Sequence, residues 1–150
     1  MCSHRDSPTL HIFATAAELS KKVCAYIAQL SADTIEQKGS FTIALSGGSM
    51  PKLLAPIAAP PLRDQIKWTA WSVFWSDERC VPLEHPDSNY RSADQFIFSQ
   101  VNIPEERIYT LDDSLAPAEA ADAYQALLGQ IFQPLPGQWP EFDLILLGMG

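Results

Sequence analysis

Three short polar segments, each placed directly after an apolar run, carry residue types suited to a reactive site: Ser46-Gly47-Gly48-Ser49, Ser76-Asp77-Glu78-Arg79 and Gly148-Met149-Gly150. In the first, an apolar run, two glycines and a helix start containing Pro51 bring bare backbone amides to a helix N-terminus. Unpaired N–H groups and the positive end of the helix dipole favour an anion there. Ser46 and Ser49 can add hydroxyl donors, and Lys52 a charge unless it faces solvent. A tight strand-to-helix turn would ask for the same glycines on dihedral grounds alone. The segment matches neither a P-loop nor a GxGxxG fingerprint. Phosphate binding ranks ahead of a purely structural turn.

The second segment sets three charges at the end of a run rich in tryptophan. Asp77 is suited to orient or deprotonate water, and Arg79 to pair with phosphate or stabilise oxyanion charge. A local ion pair that merely caps the strand is the competing explanation. It is preferred for Glu78, whose side chain should point away from those of its neighbours. For Asp77 and Arg79 the two readings stand level until the glycine turn is counted with them. His85 reads as an exposed loop residue, with ligand contact the minority option, and His4 and His11 sit too early to attract attention. Cys80 reads as a structural thiol, and Trp68, Trp71 and Trp75 as packing rather than a sugar platform. No metal-ligand spacing is present.

The elements that must position these groups alternate. Leu10–Phe13 reads as a short strand, and Thr15 with Glu18 as a capping box opening a helix through about Lys38. That helix shows Leu19, Val23, Ile27, Leu30 and Ile35 at near-helical spacing and stops at Gly39. Phe41–Leu45 and Trp71–Trp75 are strands, the first nearly all apolar, as a strand covered on both faces should be. A helix follows the glycine turn, and another covers Asn89–Gln100 behind a Ser88 cap. Ile108–Leu111 reads as a short strand, Ala116–Phe132 as a helix, Pro134–Gly137 as a loop and Phe142–Leu147 as a buried strand. The class is therefore α/β, with a mainly parallel sheet and helices on both faces. Ligands in such sheets sit outside the carboxyl ends of the strands, where all three polar segments fall.

With 150 residues, 47% hydrophobic and 19% charged, the chain is expected to form one globular domain with a real core. Its net charge of -8 and the absence of a basic stripe argue against nucleic acid, although one pocket can still be positive toward a small anion. The odd set Cys2, Cys24 and Cys80 fits a reducing compartment better than a disulfide framework. No signal-peptide core follows the N-terminus and no apolar stretch suits a membrane span, so a cytosolic location and no membrane partner are expected.

Taken together, Ala44–Ser49, Trp75–Pro82, His85–Tyr90, Asn102–Glu105 and Phe142–Gly150 resemble successive blocks of the 6-phosphogluconolactonase family, in register from about residue 10. The resemblance implies a Rossmann-like fold shared with glucosamine-6-phosphate isomerase/deaminase. It implies hydrolysis of 6-phospho-D-glucono-1,5-lactone to 6-phosphogluconate in the oxidative pentose phosphate pathway, without metal or organic cofactor. By the same resemblance Ser46, Gly47, Gly48 and Ser49 hold substrate phosphate, with Asp77 and Arg79 bordering the phosphate and lactone positions. The deaminase relatives typically carry tyrosine where Arg79 stands, which favours the lactonase. In the family, Gly148-Met149-Gly150 continues into Pro-Asp-Gly-His, whose histidine is the expected general acid/base, and these 150 residues stop short of it. The expectation is an incomplete domain, truncated at the C-terminal side, with little or no lactonase activity of its own. A phosphosugar-binding or interaction module without catalysis is the alternative, and a deaminase relative the lesser one.

Overall fold

The computed structural model describes residues 8–148; Cys2, His4, Met149 and Gly150 lie outside them. Its centre is a three-stranded parallel sheet in the order β2-β1-β3, with β1 at Phe41–Leu45, β2 at Trp71–Trp75 and β3 at Leu144–Ile145. β1 and β2 pair along their whole length, from Phe41 opposite Trp71 to Leu45 opposite Trp75. Alternation then sorts the side chains onto two faces. Phe41, Ile43, Leu45, Trp71, Val73 and Trp75 form one core with Cys24, Ile27, Leu54, Ile57 and Ile97. Phe74 turns to the other face, where its ring lies 4.7–5.2 Å from those of Tyr109, Phe132 and Phe142. Both faces of the sheet are covered, as the nearly all-apolar character of these strands requires.

Helix α1, Ala16–Lys38, begins where the Thr15 hydroxyl accepts the Glu18 amide at 3.2 Å. The reciprocal arm reaches one residue further back than a capping box would, the Glu18 carboxylate accepting from the Ala14 amide. Gly39, at φ +81°, closes the helix by donating to the Ile35 carbonyl. The buried stripe of α1 is Ser20, Cys24, Ile27 and Ser31, while Leu19, Val23, Leu30 and Ile35 flank it, partly exposed. Small side chains in the middle of the stripe let the next elements approach closely. Ser20 Oγ donates to the Leu53 carbonyl and Cys24 Sγ to that of Leu54. Those carbonyls belong to α2, Met50–Leu54, which runs into a 3₁₀ turn at Ala55–Ala58. Short α3, Leu62–Gln65, precedes β2; α4 spans Asn89–Phe96 with a further 3₁₀ turn at Phe98–Gln100, and α5 spans Pro117–Phe132.

Three expectations change. Leu10–Phe13 is not a strand: Leu10 and Ile12 are more than three-quarters exposed and the segment joins no ladder. Both edges of β1 are taken, and the outer edge of β2 is filled by other groups. Ile108–Leu111 contributes only a single parallel bridge there, Ile108 to Val73, with the Tyr109 amide donating to the Val73 carbonyl. Beyond it the Tyr124 hydroxyl takes over the ladder position, accepting from the Trp75 amide at 3.0 Å and donating to the Tyr109 carbonyl. Burial is the main reason that this hydroxyl is pushed up to about 12, so it stays protonated as a donor. Of the expected Phe142–Leu147 strand only Leu144–Ile145 is strand, and the segment is less buried than expected: it forms the sheet margin, with Ile145 and Leu147 half to largely exposed. Among the described residues no helix is long and apolar enough to cross a membrane.

β3 is nonetheless tied tightly to β1 through Asp143. Its carboxylate accepts from the Thr42 amide at 2.7 Å and the Thr42 hydroxyl at 2.8 Å, and pairs with Lys38 Nζ at 2.6 Å. Burial pushes this carboxyl up, but the Lys38 and Thr42 bonds together outweigh it and hold it below its ordinary value. A carboxyl lowered on folding adds stability that is complete above the unfolded value of roughly 4 and is lost as pH falls through the folded one. Asp143→Asn should therefore cost about 1.5–3 kcal/mol at pH 7. In urea titrations the gap between wild type and variant should narrow steadily below pH 4; a gap that is the same at pH 7 and pH 2.5 would exclude this account.

Candidate active site

Because Leu45 and Trp75 are register partners, Ser46 and Ser76 leave the sheet side by side, and the Ser76 amide donates to the Leu45 carbonyl at 2.8 Å. The two polar turns are thus neighbours by construction. α2 and α4 pack together beyond them, so two helix N-termini open on the same end of the sheet.

In the first turn the two glycines are needed for different reasons. Gly48 sits at φ +67°, the left-handed region that favours glycine, and a Cβ there would meet open space. A Cβ on Gly47 would instead lie 1.8 Å from Asn89 Oδ1, so the room left by its missing side chain is filled by Asn89. The amides of Gly47, Gly48 and Ser49 make no hydrogen bond among the described residues. The Ser49 hydroxyl likewise caps nothing, although Ser49 stands at the N-cap of α2. Ser46 differs from Ser49: its hydroxyl proton is committed to the Leu146 carbonyl at 3.0 Å, fastening the turn to β3. Lys52 is exposed.

In the second turn, Asp77 and Arg79 are exposed and Glu78 is partly covered. The Arg79 guanidinium joins no ion pair or hydrogen bond among the described residues. Its full positive charge is available to an anion. Asp77 is held from behind: Asn89 Nδ2 donates to its main-chain carbonyl at 2.9 Å and to its Oδ2 at 3.3 Å.

Glu78 corrects the sequence reading. It forms no ion pair among the described residues; its carboxylate caps α4. Oε1 accepts from the Asn89 amide at 2.7 Å and Oε2 from the Tyr90 amide at 2.9 Å, with Ser88 Oγ at 3.4 Å. Oε1 also accepts its neighbour Arg79's amide at 2.7 Å. Ser88 supplies the expected N-cap, accepting from the Arg91 amide at 3.2 Å. An acid at a helix N-terminus satisfies orphan amides and complements the dipole, and here it comes from a loop ten residues upstream. Sequence reasoning passed over both Glu78 and Asn89 as site-building residues. The available signal was the capping pattern at Ser88 followed by an amide side chain in the first turn.

His85 stays within its own loop, its Nδ1 accepting from the Asp87 amide at 3.2 Å. Cys24 is buried, and burial pushes its thiol up; Cys80 is exposed, and neither is paired among the described residues. A cleft of about 940 Å³ is lined by Trp75, Asp77, Cys80, Tyr124, Gln125 and Trp139 among others. The glycine turn and Arg79 do not line it. Asp77 therefore borders the cleft and, through Asn89, is linked to the turn.

A mainly parallel sheet with helices on both faces, and polar turns at the carboxyl ends of its strands, defines a Rossmann-like α/β protein. Residues 14–150 match the family described as glucosamine-6-phosphate isomerases/6-phosphogluconolactonase, and the chain belongs to that family. It is 41% identical over 145 residues to the rice protein (Oryza sativa subsp. indica) named probable 6-phosphogluconolactonase 4, chloroplastic, with 93% of this chain and 45% of the relative covered. Probable 6-phosphogluconolactonase 5 of Arabidopsis thaliana is 41% identical over 149 residues, covering 93% of this chain and 59% of the relative. The solved structure of 6-phosphogluconolactonase from Trypanosoma brucei superposes with a TM-score of 0.81 at 31% identity, over 96% of this chain and 60% of the other. The chain thus spans about half the length of the curated relatives it matches.

Proposed function

We propose that this chain supplies the phosphate- and lactone-holding part of a 6-phosphogluconolactonase, as the N-terminal portion of a single domain. The observation that carries the reading is the pairing of uncommitted donors at adjacent strand ends: the Gly47–Ser49 amides and the unpaired Arg79 guanidinium. The substrate 6-phosphate sits on the Gly47–Ser49 turn, with Ser49 Oγ as a further donor and Arg79 beside it. Ser46 acts by bracing the turn. Asp77 orients the water whose oxygen adds to the lactone carbonyl, and Arg79 offsets the negative charge that develops. The added water loses a proton as the ring C–O bond breaks and the ring oxygen gains one, so that one water is consumed and the hydroxy acid 6-phosphogluconate results. In this reading nucleic acid is not a partner, and Cys24 and Cys80, unpaired among the described residues, support the cytosol or another reducing compartment. The rice relative is named chloroplastic, so finding a tagged protein in an organelle would revise the cytosolic assignment.

Calorimetric titration with 6-phosphogluconate tests the site. Arg79→Ala should weaken binding at least about tenfold, roughly 1.4 kcal/mol, while leaving the melting temperature unchanged, because the guanidinium holds nothing else. Unaltered affinity would remove Arg79 from the site. Lactone hydrolysis above the spontaneous rate tests turnover. One observation favours a second reading, in which the phosphosugar is bound without being hydrolysed. Of the described histidines, His11 is exposed in the N-terminal segment, His85 is engaged with Asp87 in its own loop, and neither makes a hydrogen bond or ion pair to Asp77. Ammonia release from glucosamine 6-phosphate would overturn both readings in favour of a deaminase.

A further inference from the structure

We propose that Asn89 is a positioning residue of this site, fixing the Asp77 carboxylate relative to the glycine turn. The inference deepens the proposed function and rests on its assignment of the turn and Asp77. Asn89 is 3% exposed, yet it lies on the first turn of α4, where a polar side chain would ordinarily face water. Its carboxamide orientation is dictated by its partners. Both groups facing Nδ2, the Asp77 carbonyl and Asp77 Oδ2, are acceptors, so the nitrogen must point at them and Oδ1 at Gly47.

One planar group thereby spans two strand ends. Its donor side sets the Asp77 backbone and carboxylate; its acceptor side is packed where the Gly47 Cβ would be. The main chain of Asn89 is held in turn by the Glu78 carboxylate. Rotation of the carboxamide would break both bonds to Asp77 and push an oxygen against two acceptors. Asp77 has no other hydrogen-bond partner through its side chain among the described residues, so Asn89 alone sets its direction. Solvent-exposed carboxylates without such a partner sample several rotamers, and a water-orienting group gains by sampling one.

The test is made on the protein labelled with ¹⁵N and ¹³C, with inorganic phosphate as the probe. In the free protein the Asn89 Nδ2 protons should exchange at least tenfold more slowly than those of exposed Asn102; equal rates would overturn the proposal. Phosphate should shift the Gly48 and Ser49 amides and, through Asn89, the Asp77 carboxyl carbon. In Asn89→Ala the amide response should persist and the Asp77 response should fall by at least half. An Asp77 response that survives in the folded variant would also overturn it. Loss of the amide response in the wild-type protein would instead refute the phosphate assignment, leaving the exchange comparison to decide the role of Asn89. If Asn89→Ala does not fold, Asn89→Leu, which is close in size and keeps no donor, takes its place under the same criteria. Where lactone turnover is measurable, Asn89→Ala should lower kcat at least tenfold with KM within threefold. Adding it to Asp77→Ala should cost little more; additive losses would show that Asn89 does not act through Asp77.

Discussion

Gly47→Ala should abolish measurable 6-phosphogluconate binding at concentrations that half-saturate the wild-type protein, and should destabilise the fold by about 1–3 kcal/mol. The new methyl group would lie 1.8 Å from Asn89 Oδ1 and 2.2 Å from its Cγ, far inside contact distance. The Asn89 carboxamide is buried and hydrogen-bonded, so it can move only by giving up Asp77 or by pushing α4 away. Either movement opens the turn. Calorimetric titration and thermal melting read the two effects separately. Gly48→Ala provides the contrast: its Cβ meets nothing, and its cost is the roughly 1–2 kcal/mol of a left-handed backbone. Combining Gly47→Ala with Asn89→Gly should restore part of the lost stability but not the binding. Full affinity in Gly47→Ala would exclude the arrangement.

The second large effect concerns Glu78. Glu78→Gln replaces one acceptor oxygen by an NH₂ group that must face amide or hydroxyl donors, because all four hydrogen bonds to this side chain are donated to it. The expected loss is about 2–4 kcal/mol, since charge-assisted bonds and the favourable placement at a helix N-terminus disappear together. Urea unfolding measures the total. Amide exchange at Asn89 and Tyr90 locates it, and protection there should fall before it falls in β1. A change below about 0.5 kcal/mol would reduce Glu78 to an ordinary surface residue.

How far these relations could be read from the sequence depends on their range. β1 and β2 were legible to the residue, because each is a five-residue run with a single polar member, Thr42 or Ser72, closed by a sharp change of polarity. The caps at Thr15, Gly39 and Ser88 were equally local, and each forms. On α1, Val23, Ile27, Leu30 and Ile35 do pack against the core, but the fully buried centre of the stripe also holds Ser20, Cys24 and Ser31, which size alone does not single out. The centre of that stripe needs small side chains where α2 crosses, and only tertiary packing reveals it. Leu10–Phe13 had strand composition but joins no ladder and stays exposed. The glycine turn and the Asp77/Arg79 pair were visible as types, because a change of polarity after a buried strand is a local signal. Their linkage through Asn89, and the service of Glu78 to α4, were not. Each joins residues ten or more positions apart, and nothing in a capping pattern says which distant carboxylate will complete it.

The Glu78 clamp has a consequence for the speed of ligand capture. A loop already bolted to a helix start does not have to be assembled when the anion arrives, so little configurational freedom remains to be surrendered. Phosphosugar association should then follow a single exponential whose rate rises linearly with ligand concentration and falls with ionic strength, as encounter steered by charge does. Untying the clamp would convert this into saturating kinetics limited by loop reassembly.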